Sequence, residues 1–208
     1  MEEKAQLIKL IDLEGKVQEV KFYVHFRKSQ NVYMSLLSHN MFVECNDYNY
    51  TECLVEILKK LPVGYSLKFQ SKVNVINNES SFETIVIDEY ASLINPEQNE
   101  EYWHVNYHLR STHKGVDYEA NATEDYYYAL KNLKRDMNLG FSICFYCENA
   151  DFKSDGSEDL RHGWYCLREL NDRKKDIPWF QREEEFEKAI SNVDALHWCP
   201  MFREVIRE

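Results

Sequence analysis

The chain has 208 residues, 44% of them hydrophobic and 14% aromatic, and a formal net charge of −11. This is ample material for a packed core, and it excludes a disordered or collagen-like chain. The acidic excess repels phosphate, so the expectation is no nucleic-acid binding and, if a macromolecular partner exists, a basic protein.

No apolar run approaches the ~18 residues that span a bilayer. The opening Met1-Glu2-Glu3-Lys4 is not a secretory leader. The expected location is therefore cytoplasmic, away from membranes, where the sequons at Asn49, Asn78 and Asn121 carry no meaning. The length fits one domain over 1–208, with a sheet-forming part over 1–140 and a cysteine-containing part over 141–208.

The first elements read as a β-hairpin. Leu7 to Leu13 is apolar-rich, Glu14-Gly15 is a turn signal, and Val17 to Arg27 alternates. Val20, Phe22, Val24 and Phe26 share one face of that second strand, which a period of two assigns to a half-buried antiparallel sheet. Val32 to Leu37 and Met41 to Cys45 extend it. A helix is predicted over Tyr50 to Leu61, capped by Asn49, with Tyr50, Cys53, Leu54, Ile57, Leu58 and Leu61 on one stripe. Pro62 and Gly64 stop it. Strands resume over Tyr65 to Ile76, Phe82 to Glu89 and Tyr102 to Ser111, with breaks at Asn77 to Ser80 and Asn95-Pro96-Glu97. A second helix is predicted over Glu124 to Met137, with Thr123 as cap and Asn138 and Gly140 as terminators. Beyond Gly140 come a polar loop over Glu148 to Gly163, a charged stretch over Asp172 to Lys188, a helix over Glu183 to Ile190 and a terminal helix over Met201 to Arg207. The fold class is α+β: an antiparallel sheet with helices packed on one face and a zinc-stapled C-terminal part.

Six cysteines in a reducing compartment are not a disulfide framework. Cys45 and Cys53 stand apart, and Cys53 reads as a small core residue. Cys144 and Cys147 form a C-x2-C pair, a spacing whose backbone turns both thiolates onto one tetrahedral ion. Cys166 follows after 18 intervening residues, and Cys199 closes the set. Pairing of Phe141–Cys147 with Gly163–Arg168 as two strands would bring Cys166 beside the knuckle. Cys144, Cys147, Cys166 and Cys199 are the candidate ligands of a structural zinc. Rivals are a redox dithiol at Cys144/Cys147, buried free thiols, His162 or His197 in place of one thiolate, and iron or another metal that favours soft ligands. The run Cys144-Phe145-Tyr146-Cys147, Ala150-Asp151 and Trp164-Tyr165-Cys166-Leu167-Arg168 resembles a motif of an uncharacterised bacterial protein family of unknown function. The resemblance covers Phe141 to Arg168, with Ser154-Asp155-Gly156 in place of the family's Pro-x-Gly. It implies a bacterial source and a zinc-like site, and no activity.

Other polar groups are weaker candidates. His104 and His108 share the polar face of one strand, about 13 Å apart, too far to bind one metal together. Either suits acid–base work with a carboxylate from a neighbouring strand. His113 falls in a turn beside Lys114-Gly115. Asp151, Asp155, Glu158 and Asp159 form an acidic loop without calcium-loop regularity. Tyr126-Tyr127-Tyr128 is an aromatic run that a helix buries only in part. Phosphate-cradle, hydrolase-elbow and zinc-protease motifs are missing, and six glycines is few. The expected function is a non-catalytic protein-binding module of a bacterial conflict system, such as an immunity protein to a toxin. The alternatives are a hydrolase built on a sheet histidine, which needs a pocket holding that histidine and a carboxylate, and a structural subunit of an oligomer.

Overall fold

The computed structural model describes residues 4–26, 32–38, 41–47, 50–77, 81–95, 103–153, 163–170 and 177–205. The strands are β1 (Lys4–Ile11), β2 (Val17–Phe26), β3 (Val32–Leu37), β4 (Phe42–Asp47), β5 (Ser66–Ile76), β6 (Phe82–Ile94), β7 (His104–His113), β8 (Val116–Thr123), β9 (Gly140–Phe141), β10 (Ala150–Asp151), β11 (Trp164–Cys166) and β12 (Ile190–Val193). The helices are α1 (Tyr50–Lys59), α2 (Tyr126–Met137) and α3 (Glu183–Lys188). The larger sheet runs β4-β3-β2-β1-β5-β6-β7-β8, with β9 on β5, and a three-stranded sheet runs β10-β11-β12. Among the described residues the fold is thus mostly antiparallel sheet with three α-helices. The chain divides into two compact units, Met1–Ser71 with Ile87–Leu133, and Lys72–Val86 with Lys134–Glu208. None of the helices among the described residues is long and apolar enough to cross a membrane.

In the first unit one sheet face is buried by register. Ile8 opposes Val20, and Phe22 and Val24 oppose Leu36 and Met34. All six are buried, while Leu7 and Lys21, which oppose each other on the other face, are exposed. Each side chain so buried contributes roughly 1.5–3 kcal/mol. The side chain of Phe26, and Arg27, lie outside the described residues. Helix α1 packs on β3, β4 and β7. Its predicted stripe, with Leu61 just beyond its end, is buried throughout, and Cys53 donates its thiol to the Val32 carbonyl at 3.3 Å. Asn49, its expected cap, lies outside the described residues, as do 78–80 and 96–97 of the two predicted breaks.

β8 was not expected as a strand. It pairs along its whole length with β7, from Asn106↔Thr123 to His113↔Val116. Lys114 (φ 50°) and Gly115 (φ 79°) form the two-residue turn, whose positive φ values match the twist of a hairpin. His113 is accordingly the last residue of β7 rather than part of the turn. Helix α2 begins later than predicted. Thr123 ends β8, Glu124 has φ 64°, and the cap is Asp125, whose carboxylate accepts the Tyr127 amide at 2.8 Å. Asn138 (φ 53°) ends α2 in the left-handed conformation.

Two polar groupings tie β5 to β6 within the first unit. Glu89 is buried, 5% exposed. It accepts the Tyr126 hydroxyl at 2.9 Å and, on its other oxygen, the Ser71 hydroxyl. Tyr126→Phe removes a donor to a buried carboxyl and should cost about 1.5–3 kcal/mol in urea unfolding. A loss below about 0.5 kcal/mol, the range of an ordinary surface change, would contradict that role.

Lys68 Nζ lies 2.6 Å from Asp88 and 5.0 Å over the Tyr90 ring. Burial pushes Asp88 up, but hydrogen bonds from Lys68 and Gln70 outweigh it and hold the carboxyl below its ordinary 3.8. Burial likewise pulls Lys68 down, and its bonds to Asp88 and Tyr90 leave it raised above 10.5. The stabilisation is therefore present in full between those two ordinary values. It is lost as pH falls through the depressed value of Asp88 or rises through the raised value of Lys68. Lys68→Met should cost up to about 1 kcal/mol at neutral pH, since the pair is half exposed, and the difference from the parent should vanish in strong acid. A penalty that persists unchanged in strong acid would place it in packing instead.

Candidate metal centre

The second unit places the four cysteines by backbone bonds, because its strands are too short to do so alone. Cys144–Tyr146 is a single 3₁₀ turn, not the strand read from Phe141–Cys147. In it the Cys147 amide bonds the Cys144 carbonyl at 2.9 Å. This is the tight turn that a C-x2-C pair needs to aim both sulfurs one way. The Asn149 amide then points at the Cys147 sulfur, 3.4 Å away. Cys166 arrives by a route different from the expected one. β11 pairs not with 141–147 but with β10, Ala150 opposite Cys166, and on its other edge with β12, Ile190 opposite Cys166. The Leu167 amide bonds the Asn149 carbonyl at 2.8 Å and completes the link to the knuckle.

The C-terminal segment supplies the fourth cysteine. The Cys144 and Phe145 amides bond the carbonyls of His197 and Ala195 at 2.7 and 3.0 Å. Asn149 donates its side-chain amide to the Met201 carbonyl at 3.0 Å. The predicted terminal helix over Met201 to Arg207 is absent from its described part, 201–205. Glu204 instead makes a bridge with Cys147, and the Val205 amide bonds the Tyr146 carbonyl at 2.9 Å. The helix predicted to reach Ile190 ends at Lys188, and Ile190–Val193 is strand β12. Residues 172–176 of the charged stretch lie outside the described residues.

Cys144, Cys147, Cys166 and Cys199 are all buried, at 4%, 3%, 8% and 8% exposure. Burial pushes the Cys144 thiol up to about 12, and Cys147, Cys166 and Cys199 push it the same way, with Arg168 pulling against them. Cys144 thus lies within electrostatic reach of the other three. Arg168 bonds the Cys199 sulfur and lies near Cys166, and both hold its guanidinium more firmly charged. Among the described residues, no group of three or more His, Cys, Asp or Glu side chains stands ready-made at metal-ligating spacing. What the backbone provides is one knuckle, one strand and one C-terminal turn that present four thiols to a shared neighbourhood.

Around the thiols lies an aromatic core. Trp164 is 1% exposed, with Phe145 and Phe152 edge-on at 5.1 Å. Arg182, whose side chain is 4% exposed, reaches Asp151 at 2.6 Å. The acidic loop therefore contributes Asp151 to an internal ion pair. Asp155, Glu158 and Asp159 lie outside the described residues, as does His162. His197 is exposed and takes part through its carbonyl.

The remaining candidates lie in the first unit. His108 stacks on Tyr90 at 5.5 Å and lies 3.3 Å from Glu119. His104 meets Glu124 through Nδ1. It lines a cleft of about 290 Å³ with Thr51, Glu52, Val55, Glu56, Lys59, Trp103, Val105 and Glu124. Of the tyrosine run, Tyr126 is buried and Tyr128 is 56% exposed. Cys45 is half-buried, on β4 of the first unit. Compared with family models, curated proteins and solved structures, the chain matches none.

Proposed function

We propose that the protein is a protein-binding module of a bacterial conflict system, for example an immunity protein to a toxin, with a structural zinc held by Cys144, Cys147, Cys166 and Cys199. The observation that carries the metal assignment is the hydrogen-bond wiring that draws four buried thiols from three separate segments into one neighbourhood. Thiolate ligands suit zinc, and four of them close its tetrahedron, leaving no position for a reactive water. The ion's part is to join the knuckle, β11 and the C-terminal turn, not to do chemistry. Arg168 beside Cys199 and the Asn149 amide beside Cys147 supply the outer contacts that steady such ligands.

The partner assignment rests on the net charge of −11. Such an excess speeds encounter with a basic surface and makes the association salt-dependent. Affinity capture with the full chain, at low and at physiological salt, tests it. Recovery of one specific basic protein that is lost as salt rises is expected. Capture of none at either salt is the result against it. A second reading, a hydrolase on a sheet histidine, is favoured where His104 shares a cleft with a carboxylate.

A further inference from the structure

We propose that the cleft beside α1 is a hydrolytic site in which His104 is the general base, Glu124 positions it, and the substrate is a small ester carrying a positive charge. This rests on the second reading above and is independent of the metal centre. His104 opens β7 and Glu124 follows the end of β8, so the hairpin returns one to the other across 20 residues. Glu124 pays for its place with a backbone φ of 64°, a conformation that non-glycine residues seldom adopt. Its amide is bonded to the Val105 carbonyl at 2.7 Å, which fixes it beside His104. Such strain persists where surrounding structure enforces it, and a turn alone would be better served by glycine.

With Nδ1 bonded to the carboxylate, the imidazole carries its proton on Nδ1, and Nε2 is left as the base. The lining holds no serine or cysteine, and its one hydroxyl, on Thr51, is turned to the Tyr107 hydroxyl at 3.4 Å, so the nucleophile is taken to be water. Nε2 takes a proton from that water as its oxygen bonds to the ester carbonyl carbon. The tetrahedral intermediate collapses, the carbon–oxygen bond to the leaving group breaks, and His104 returns the proton to the departing alkoxide. Ester and water give acid and alcohol, with no change of oxidation state. Lys59 lines the same wall, its ammonium 2.9 Å from Glu56, and the pair leaves a positive group near the developing oxyanion. The class of substrate follows from charge. Lys59 offsets Glu56, and Glu52 and Glu124 leave the lining with an acidic excess, so a cationic substituent is drawn in and a carboxylate is repelled.

The test uses the full chain with three p-nitrophenyl esters: the acetate, and two of matched size bearing a trimethylammonium or a carboxylate group. The cationic ester is expected to be hydrolysed fastest and the anionic one slowest. His104→Gln should lower the rate about 100-fold or more, the usual worth of a general base, and His108→Gln should leave it unchanged. Glu124→Gln should lower kcat with little change in KM. Glu124→Gly should do the same while melting no lower than the parent, which separates positioning from folding. If no ester is turned over faster than by His104→Gln, both the second reading and this proposal fall. If turnover needs His104 but shows no preference for the cation, the hydrolytic reading stands and the substrate class falls. If Glu124→Gly keeps full activity, Glu124 has no positioning role.

Discussion

Cys166→Ser is expected to release the metal and to lower the melting temperature by about 10 °C. A structural ion in a thiolate site contributes folding free energy directly, because the unfolded chain has no preformed site. Cys166 holds the middle of the three-stranded sheet, with Ala150 on one side and Ile190 on the other. Serine fits the space but does not ligate zinc as a thiolate does. Three thiolates then hold the ion less well, and the C-terminal turn loses its tie to β11. A loss of about 3–5 kcal/mol corresponds to roughly 6–20 °C in a chain of this length. Metal analysis and a thermal scan of the variant check both halves. Cys45→Ser is the control, since Cys45 belongs to the first unit and the four candidate ligands to the second. Equal losses from both variants would mean that general packing, not ligation, sets the effect.

Trp164→Ala should cost about 3–5 kcal/mol, the range for deleting a buried large aromatic. Trp164 is 1% exposed, and its ring meets the edges of Phe145 and Phe152 at 5.1 Å each. Phe145 sits inside the C-x2-C turn, so the tryptophan holds the knuckle from beneath as β11 holds Cys166 beside it. The variant should therefore also bind zinc more weakly, although it removes no ligand. Trp164→Phe keeps an aromatic ring in place and should recover part of both losses. Urea unfolding that moves by less than about 1 kcal/mol, far below the cost of a cavity of this size, would show that the aromatic core is not what supports the site.

Alternation made the first sheet legible. Over 20–26 of β2 and 105–109 of β7 every second residue is large and apolar, because one face is packed and the other is wet. β8 escaped the same reading for a physical reason. Its inward positions include Ala120 and Ala122, too small to mark a buried face, and its outward ones are polar as an edge strand requires. The start of α2 was misread because Thr123, Glu124 and Asp125 are all adjacent to it and two of them are good caps. Only the positive φ of Glu124 decides between them, and that is set by the β7–β8 hairpin. At the candidate metal centre the C-x2-C spacing was legible, since it encodes a local turn. The partner of β11 was not, because β10 is two residues long and carries no periodicity. His104 stood out as a polar-face histidine, but its carboxylate comes from the far end of a hairpin whose second strand was itself unread.

Metal content per chain, measured on untagged full-length protein, tests the central claim most directly. The account predicts one equivalent of zinc, held until the thiols are protonated or a chelator removes it, with loss of folded structure in the second unit. A well-folded chain that carries no metal would contradict it, and would return Cys144 and Cys147 to the reading of a redox-active dithiol.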